Sequence, residues 1–220
     1  MIAIIAFILL VLFLPLLFIS GYLNIVTAGF AQLGISPGVT LFVLFLILIG
    51  SSIDIPLTKK KIIKTKDSYF FGLFSKPVAE INCIAVNLGG TIIPIILSFY
   101  FVFQVYINGF SLVKVLISTL LMVLVTKHYS KIVPGKGITL PVFIPPLFSA
   151  IFSLVLIPHF AAPSAFISGV LGTLIGADLL NLKKIRKLEG FLSIGGAGVF
   201  DGIFLTGIVS ALMSGKFFHI

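Results

Sequence analysis

Three aspartates stand in or at the ends of long apolar stretches of this 220-residue chain: Asp54, Asp178 and Asp201. A carboxylate at membrane depth costs roughly 2.5–3.5 kcal/mol on insertion scales, so each is a candidate for work that needs an acid, a base or a cation ligand. Depth separates them. Asp54 lies five residues before Lys59 and Asp178 five before Lys183, ~7.5 Å of helix from a basic loop, where capping or pairing at the interface also accounts for a carboxylate. Asp201 follows Lys187 by fourteen residues, ~13 Å into a span that starts near Leu192, with no basic neighbour in sequence. Its plain alternative is an interhelical hydrogen bond.

Asp201 sits in Ser193-Ile-Gly195-Gly196-Ala-Gly198-Val-Phe-Asp201-Gly202. Glycines this dense weaken a helix; they serve either small-residue packing or an unwound stretch beside a working carboxylate. Asn87-Leu-Gly89-Gly90-Thr-Ile-Ile-Pro94 is a comparable interruption, one able to turn backbone carbonyls toward an ion or solute. Asp67 and Glu80 read as loop or headgroup residues among lysines. His128, His159 and His219 have no partners at metal-ligand spacing, and Cys83 is the single cysteine, so neither a metal centre nor a disulfide framework is expected. The sequence carries no Ser-His pair, P-loop or strand-preceded dinucleotide fingerprint, and no cofactor is expected.

The elements that must position these residues follow from composition. At 59% hydrophobic and 10% charged, the chain has too little polar surface to coat a soluble globule, and lipid must cover much of it. Continuous apolar runs favour helices over barrel strands, because every backbone polar group in lipid must be satisfied within its own segment. The expected fold is all-α: a polytopic transmembrane bundle of about seven spans, near 2–20, 39–56, 81–106, 110–127, 142–158, 162–181 and 192–213, in one integral membrane domain over 1–220. Residues 1–19 lack a basic leader region and contain Pro15, so they read as a first span, not a cleaved signal.

Six lysines (Lys59, Lys60, Lys61, Lys64, Lys66, Lys76) fall between spans 2 and 3. Three (Lys127, Lys131, Lys136) fall between spans 4 and 5, and Lys183, Lys184, Arg186 and Lys187 between spans 6 and 7. Thirteen of the 15 cations thus occupy alternate connections, which predicts a cell-membrane protein with its N-terminus cytoplasmic and its C-terminus external. The net charge of +9 belongs to topology and anionic headgroups; no nucleic-acid partner is expected.

The chain also echoes itself. Phe13-Leu-Pro15 resembles Phe143-Ile-Pro145, Leu48-Ile-Gly50 through Asp54 resembles Leu174-Ile-Gly176-Ala-Asp178, and Asn87-Leu-Gly89-Gly90 resembles Ser193-Ile-Gly195-Gly196. The order is conserved within the chain, pairing spans 1, 2 and 3 with 5, 6 and 7. It fits two parallel three-helix repeats, 1–107 and 141–215, joined by a linker helix at 108–128.

Three long strings carry a resemblance across the whole chain: Val86-Asn87-Leu88-Gly89-Gly90 with Pro94, Gly172-Thr-Leu-Ile-Gly-Ala-Asp178-Leu-Leu-Asn181, and Gly195-Gly-Ala-Gly198-Val-Phe-Asp201-Gly-Ile-Phe-Leu-Thr-Gly207. With Ile53-Asp54-Ile55-Pro56-Leu57 they resemble an uncharacterised family of archaeal and bacterial membrane proteins, the domain-of-unknown-function family numbered 1614. The resemblance implies no established activity. Asp54 departs from it, since Asn is usual there, which argues against an essential charge.

A more distant resemblance is to presenilin-type intramembrane aspartyl proteases, which carry one aspartate on a span descending to the cytoplasm and another, after Gly-x-Gly, on the next span rising from it. Asp178, and Asp201 after Gly196-Ala-Gly198, are similar in order and orientation. Two residues separate Gly198 from Asp201, Asp178 follows Ala, no Pro-Ala-Leu motif follows, and Asp201 is expected several ångströms deeper than Asp178 unless the glycines unwind the span.

Three readings follow. Asp178 and Asp201 form a catalytic dyad that cleaves a membrane peptide. Alternatively Asp201, with Asn87, Gly89, Gly90, Pro94, Gly195, Gly196, Gly198 and Gly202, builds a midplane site for a proton or cation coupled to a small solute. In the third, the aspartates hold together a structural subunit.

Overall fold

Apolar runs punctuated by proline become helices that start where proline's missing N–H is no loss. Pro37 opens α2 (Pro37–Gly50), Pro94 lies in the first turn of α3 (Ile93–Ile107), and Pro145 and Pro146 lie in that of α5 (Ile144–Leu156). The remaining helices are α1 (Ile2–Gln32), α4 (Leu112–Tyr129), α6 (Ala161–Thr173), the short α7 (Leu182–Ile185) and α8 (Gly202–Gly215). The computed structural model describes residues 2–58, 61–69, 74–133, 137–186, 191–196 and 201–215; within 2–12 and 61–82 it describes the backbone alone. The chain is a membrane protein built as a bundle of apolar helices. α1 runs on through Pro15 to Gln32, further than the expected first span, because its second half buries Val26 and Phe30 in the core.

Lipid solvates leucine as well as a protein core does, so burial in this bundle selects for small and hydroxylated residues instead. Leu14, Leu17 and Phe18 of α1 and Val113, Leu116 and Leu124 of α4 face outward, while Ser118, Thr126, Ser149, Ser153, Ser168 and Ser210 are buried. α6 is the axis: twelve of its thirteen residues are buried, and α3, α4, α5 and α8 all pack on it. The hydroxyls of its neighbours pair with one another, as in Ser118 with Ser153 at 3.3 Å, or bond to helix carbonyls, as in Thr126 Oγ1 to Gly172 O at 2.8 Å.

Among the described residues, four helical stretches are long and apolar enough to cross a bilayer: Phe13–Gln32, Leu88–Ile107, Leu112–Tyr129 and Pro158–Ile185. The apolar helices α2, α5 and α8 are shorter, at 14, 13 and 14 residues. Each rises only ~20 Å against a hydrocarbon core of ~30 Å. Strands gather at one end of these helices. A β-layer of β1 (Asp54–Pro56), β2 (Lys61–Tyr69), β3 (Phe74–Asn87) and β6 (Phe191–Ile194) has β1 and β2 antiparallel to β3, and β6 parallel to it with Val86 opposite Ile194. A hairpin of β4 (Lys131–Val133) and β5 (Gly137–Thr139) lies nearby, with Gly137 against Leu192. The connections that carry the thirteen cations therefore share one end of the bundle.

These strands are an addition to the helix bundle expected from hydropathy, and they change two spans. The run Ile81–Asn87, read as the start of span 3, is the end of β3, and Leu192–Ile194, read as the start of span 7, belongs to β6. Short apolar runs do not separate strand from helix by periodicity, and Cys83, Ile84 and Ala85 are buried in the layer as thoroughly as any helix residue.

Candidate functional site

Where the expected span 7 had helix, the chain makes β6, a turn at Gly195 with φ 76°, and then a helix starting at Gly202. Asp201 is therefore the residue that begins α8, not one buried midway along a helix. Its Oδ1 accepts from Ile203 N at 2.8 Å, and its carbonyl receives the first helical bond from Leu205 N. A carboxylate at that position satisfies an otherwise orphaned N–H and meets the positive end of the helix dipole.

Asp178 is positioned by a different irregularity. After Thr173 the α6 spiral widens into one π turn, Leu174–Asp178, closed by Leu179 N–H onto Leu174 O, and continues as a 3₁₀ turn, Leu179–Asn181. The end of this segment is tied to α4. Lys127 Nζ donates to Leu180 O at 3.0 Å and to Asn181 Oδ1, and Asn181 Nδ2 donates to Ser130 Oγ at 2.9 Å and to Ala177 O at 2.7 Å. The ammonium meets helix-terminal carbonyls rather than Asp178, whose carboxylate takes no hydrogen bond from the described residues.

The two irregularities open onto one cavity of about 560 Å³. Asp178 and Asp201 both line it and lie within electrostatic reach of each other, and the continuous span 7 on which the expected depth mismatch rested is broken before Asp201. Gly195, Gly196 and Gly202 line the same cavity; Gly198 lies outside the described residues. A residue that sequence reasoning passed over is there too. Thr173 is 3% exposed, and its Oγ1 has no hydrogen-bond partner among the described residues.

Asn87, Gly89, Gly90 and Pro94 sit behind the cavity, not on its lining. Asn87 is fully buried and its amide is committed: Nδ2 donates to Ser51 O at 2.8 Å and to Asp54 Oδ1 at 3.0 Å, and Oδ1 accepts from Gly90 N at 2.9 Å. It caps the π turn Leu88–Ile92 that leads into α3. Asp54, which also accepts from Ser193 Oγ, ties β1 to β3 and β6. Gly89 lies against the end of α2, where a Cβ would meet Ile47 O at 2.2 Å. A Cβ on Gly90 would meet Gly195 O at 2.1 Å and Asp201 Cβ at 3.1 Å. The glycine interruptions of spans 3 and 7 thus stack backbone on backbone immediately behind Asp201, joined by Thr91 Oγ1 donating to Ile194 O at 2.9 Å.

This arrangement makes Asn87→Ala a test of support, not of chemistry. The substitution strips three partners at once and leaves Gly90 N–H buried without an acceptor, which should lower stability by about 2–3 kcal/mol. Thermal unfolding in detergent, with the fold checked by circular dichroism, reads the loss; a change within the error of wild type would remove Asn87 from the support of the site.

No curated protein and no solved structure matches the chain. The profile of one family matches residues 48–213, which include every aspartate, strand and glycine turn just described, and by that match the chain belongs to the family described as protein of unknown function, DUF1614.

Proposed function

We propose that the chain is an intramembrane aspartyl hydrolase that cleaves a peptide bond of a membrane-embedded substrate with Asp178 and Asp201. One observation carries the reading: two carboxylates from different elements of a lipid-facing bundle line a single cavity, within electrostatic reach of each other. Like charges in such a site favour a dyad that shares one proton. In the reaction, water oxygen bonds to the scissile carbonyl carbon while the ionised carboxylate takes one water proton and the protonated one gives its proton to the carbonyl oxygen. Collapse of the resulting gem-diol returns a hydroxyl proton to one carboxylate. The other protonates the departing nitrogen as the C–N bond breaks.

The size of the cavity is within the range of ligand pockets, roughly 300–1,000 Å³. Its rim includes Val142 and Phe143, 75% and 82% exposed, an apolar entry suited to a substrate arriving from lipid. The carrier reading in the form that uses Asn87 gains no such support, because that amide is already bonded. The test is cleavage of a fluorogenic transmembrane peptide by purified protein in liposomes, with Asp178→Asn and Asp201→Asn beside it. No cleavage by wild type, with proton flux across the same membrane, would replace the hydrolase with a carrier.

The orientation belongs to the same proposal. The positive-inside rule sets the strand end of the bundle, with both aspartates, toward the cytoplasm. Reporter fusions at Lys61, Lys131 and Arg186 should report cytoplasm, and fusions near Gly34, Asn108 and Ala161 the exterior. An external signal at Arg186 would reverse it.

A further inference from the structure

We infer that Thr173 is the third polar group of the site, its hydroxyl holding the water or neutral oxygen that Asp178 and Asp201 act on. Two observations carry this, and neither depends on the aspartates' charge. The first is the hydroxyl itself: Thr173 lines the cavity, and its buried Oγ1 is without a partner among the described residues. Ser164, nearer the start of α6, is the other buried hydroxyl without a partner among the described residues, and it does not line the cavity. Thr126 and Ser149, on the helices beside α6, bond back to carbonyls of their own helices, as Ser168 does on α6 itself. A threonine in a helix has the same carbonyls in reach by simple rotation. Thr173 leaves that bond unmade, on a residue that lines the cavity.

The second observation is the π turn. Residues five apart on an α-helix differ by about 140° in direction, so Thr173 and Asp178 would face different neighbours. A π turn wraps five residues and bonds the sixth to the first, as Leu179 N–H does to Leu174 O, and it carries residues five apart round to nearly the same side. The widened turn thereby lets both Thr173 and Asp178 line one cavity, which a regular helix would not. Thr173 is a donor and an acceptor, the pairing needed to hold a water whose proton goes to one carboxylate. The ligand class is thus a small neutral oxygen species, water in the resting enzyme.

This rests on the hydrolase reading for its catalytic consequence but not for the hydroxyl's contact with the dyad, and the experiment separates the two. Thr173→Val keeps the shape and removes the hydroxyl; Thr173→Ser keeps the hydroxyl and loses a methyl. In liposomes, Thr173→Val should lower kcat for the transmembrane peptide roughly tenfold with KM little changed, and Thr173→Ser should restore it. Infrared spectra of the same proteins supply the second reading. The protonated-carboxyl stretch, identified by its loss in Asp178→Asn and Asp201→Asn, should shift in Thr173→Val and return in Thr173→Ser. An unmoved band in Thr173→Val, with unchanged turnover, overturns the inference and leaves the dyad standing. A shifted band in a protein that cleaves nothing keeps Thr173 in the polar cluster and removes the hydrolase instead. Should Thr173→Val fail to fold, Thr173→Ala takes its place against the same serine control.

Discussion

Gly195→Ala should leave the protein less stable by about 3 kcal/mol or more, one of the two largest effects expected of any single substitution here. Two independent costs add. Gly195 has φ 76°, where an L-residue loses about 1–2 kcal/mol relative to glycine. The new Cβ would also meet Thr91 Oγ1 at 2.0 Å, Gly90 C at 2.8 Å and Thr91 N at 2.9 Å. Two of these are backbone, and the third belongs to a hydroxyl already held by Ile194 O, so none can yield cheaply. The parallel pairing of β3 with β6 fixes the two turns against each other and leaves no slack along the strands. Gly34→Ala is the matched control, since Gly34 has φ 75° with nothing within 4 Å of its Cβ position. Thermal unfolding of the two variants in one detergent isolates the contact. Equal losses would mean that the glycine turns do not touch as described.

What the sequence disclosed and what it hid divide along the same physical line. Helices in lipid announce themselves by length and hydropathy, and the cation-rich loops announce which connections share an end; both were legible. Strands at that end were not, because Ile81–Val86 and Phe191–Ile194 are short apolar runs whose partners lie far away in sequence. Reading Leu192–Ile194 as helix placed Asp201 partway along a span, where the chain instead starts α8. A local signal pointed the other way: Asp201-Gly-Ile-Phe-Leu is an N-cap residue followed by an apolar run. The glycines around Gly90 and Gly195 were legible as interruptions, but whether they bare carbonyls or admit another backbone depends on the facing chain. Thr173 carried no signal at all. Its part in the site depends on a π turn, and nothing in Leu-Ile-Gly-Ala marks one.

Asp178→Asn and Asp201→Asn should each abolish cleavage while leaving the bundle folded, and the reasons they stay folded differ. Asn caps a helix about as well as Asp, so Asp201→Asn keeps the bond from Ile203 N that starts α8. Asp178→Asn takes no hydrogen bond away from the described residues and removes one of two carboxyls that compete to ionise in one cavity, so its stability should equal or exceed that of wild type. Activity behaves oppositely. Asn neither takes a proton from water nor gives one to a carbonyl oxygen, and losing either role of a general acid–base pair costs about 10²- to 10⁴-fold. Because each step needs both roles, the double variant should be scarcely worse than either single one. Turnover of the transmembrane peptide, measured beside the unfolding temperature of each variant, checks every part of this. Independent, multiplicative losses would mean that the aspartates do not share a proton. Retained cleavage in Asp178→Asn, with loss only in Asp201→Asn, would make Asp201 a single working carboxylate and Asp178 its neighbour, and the dyad would fall.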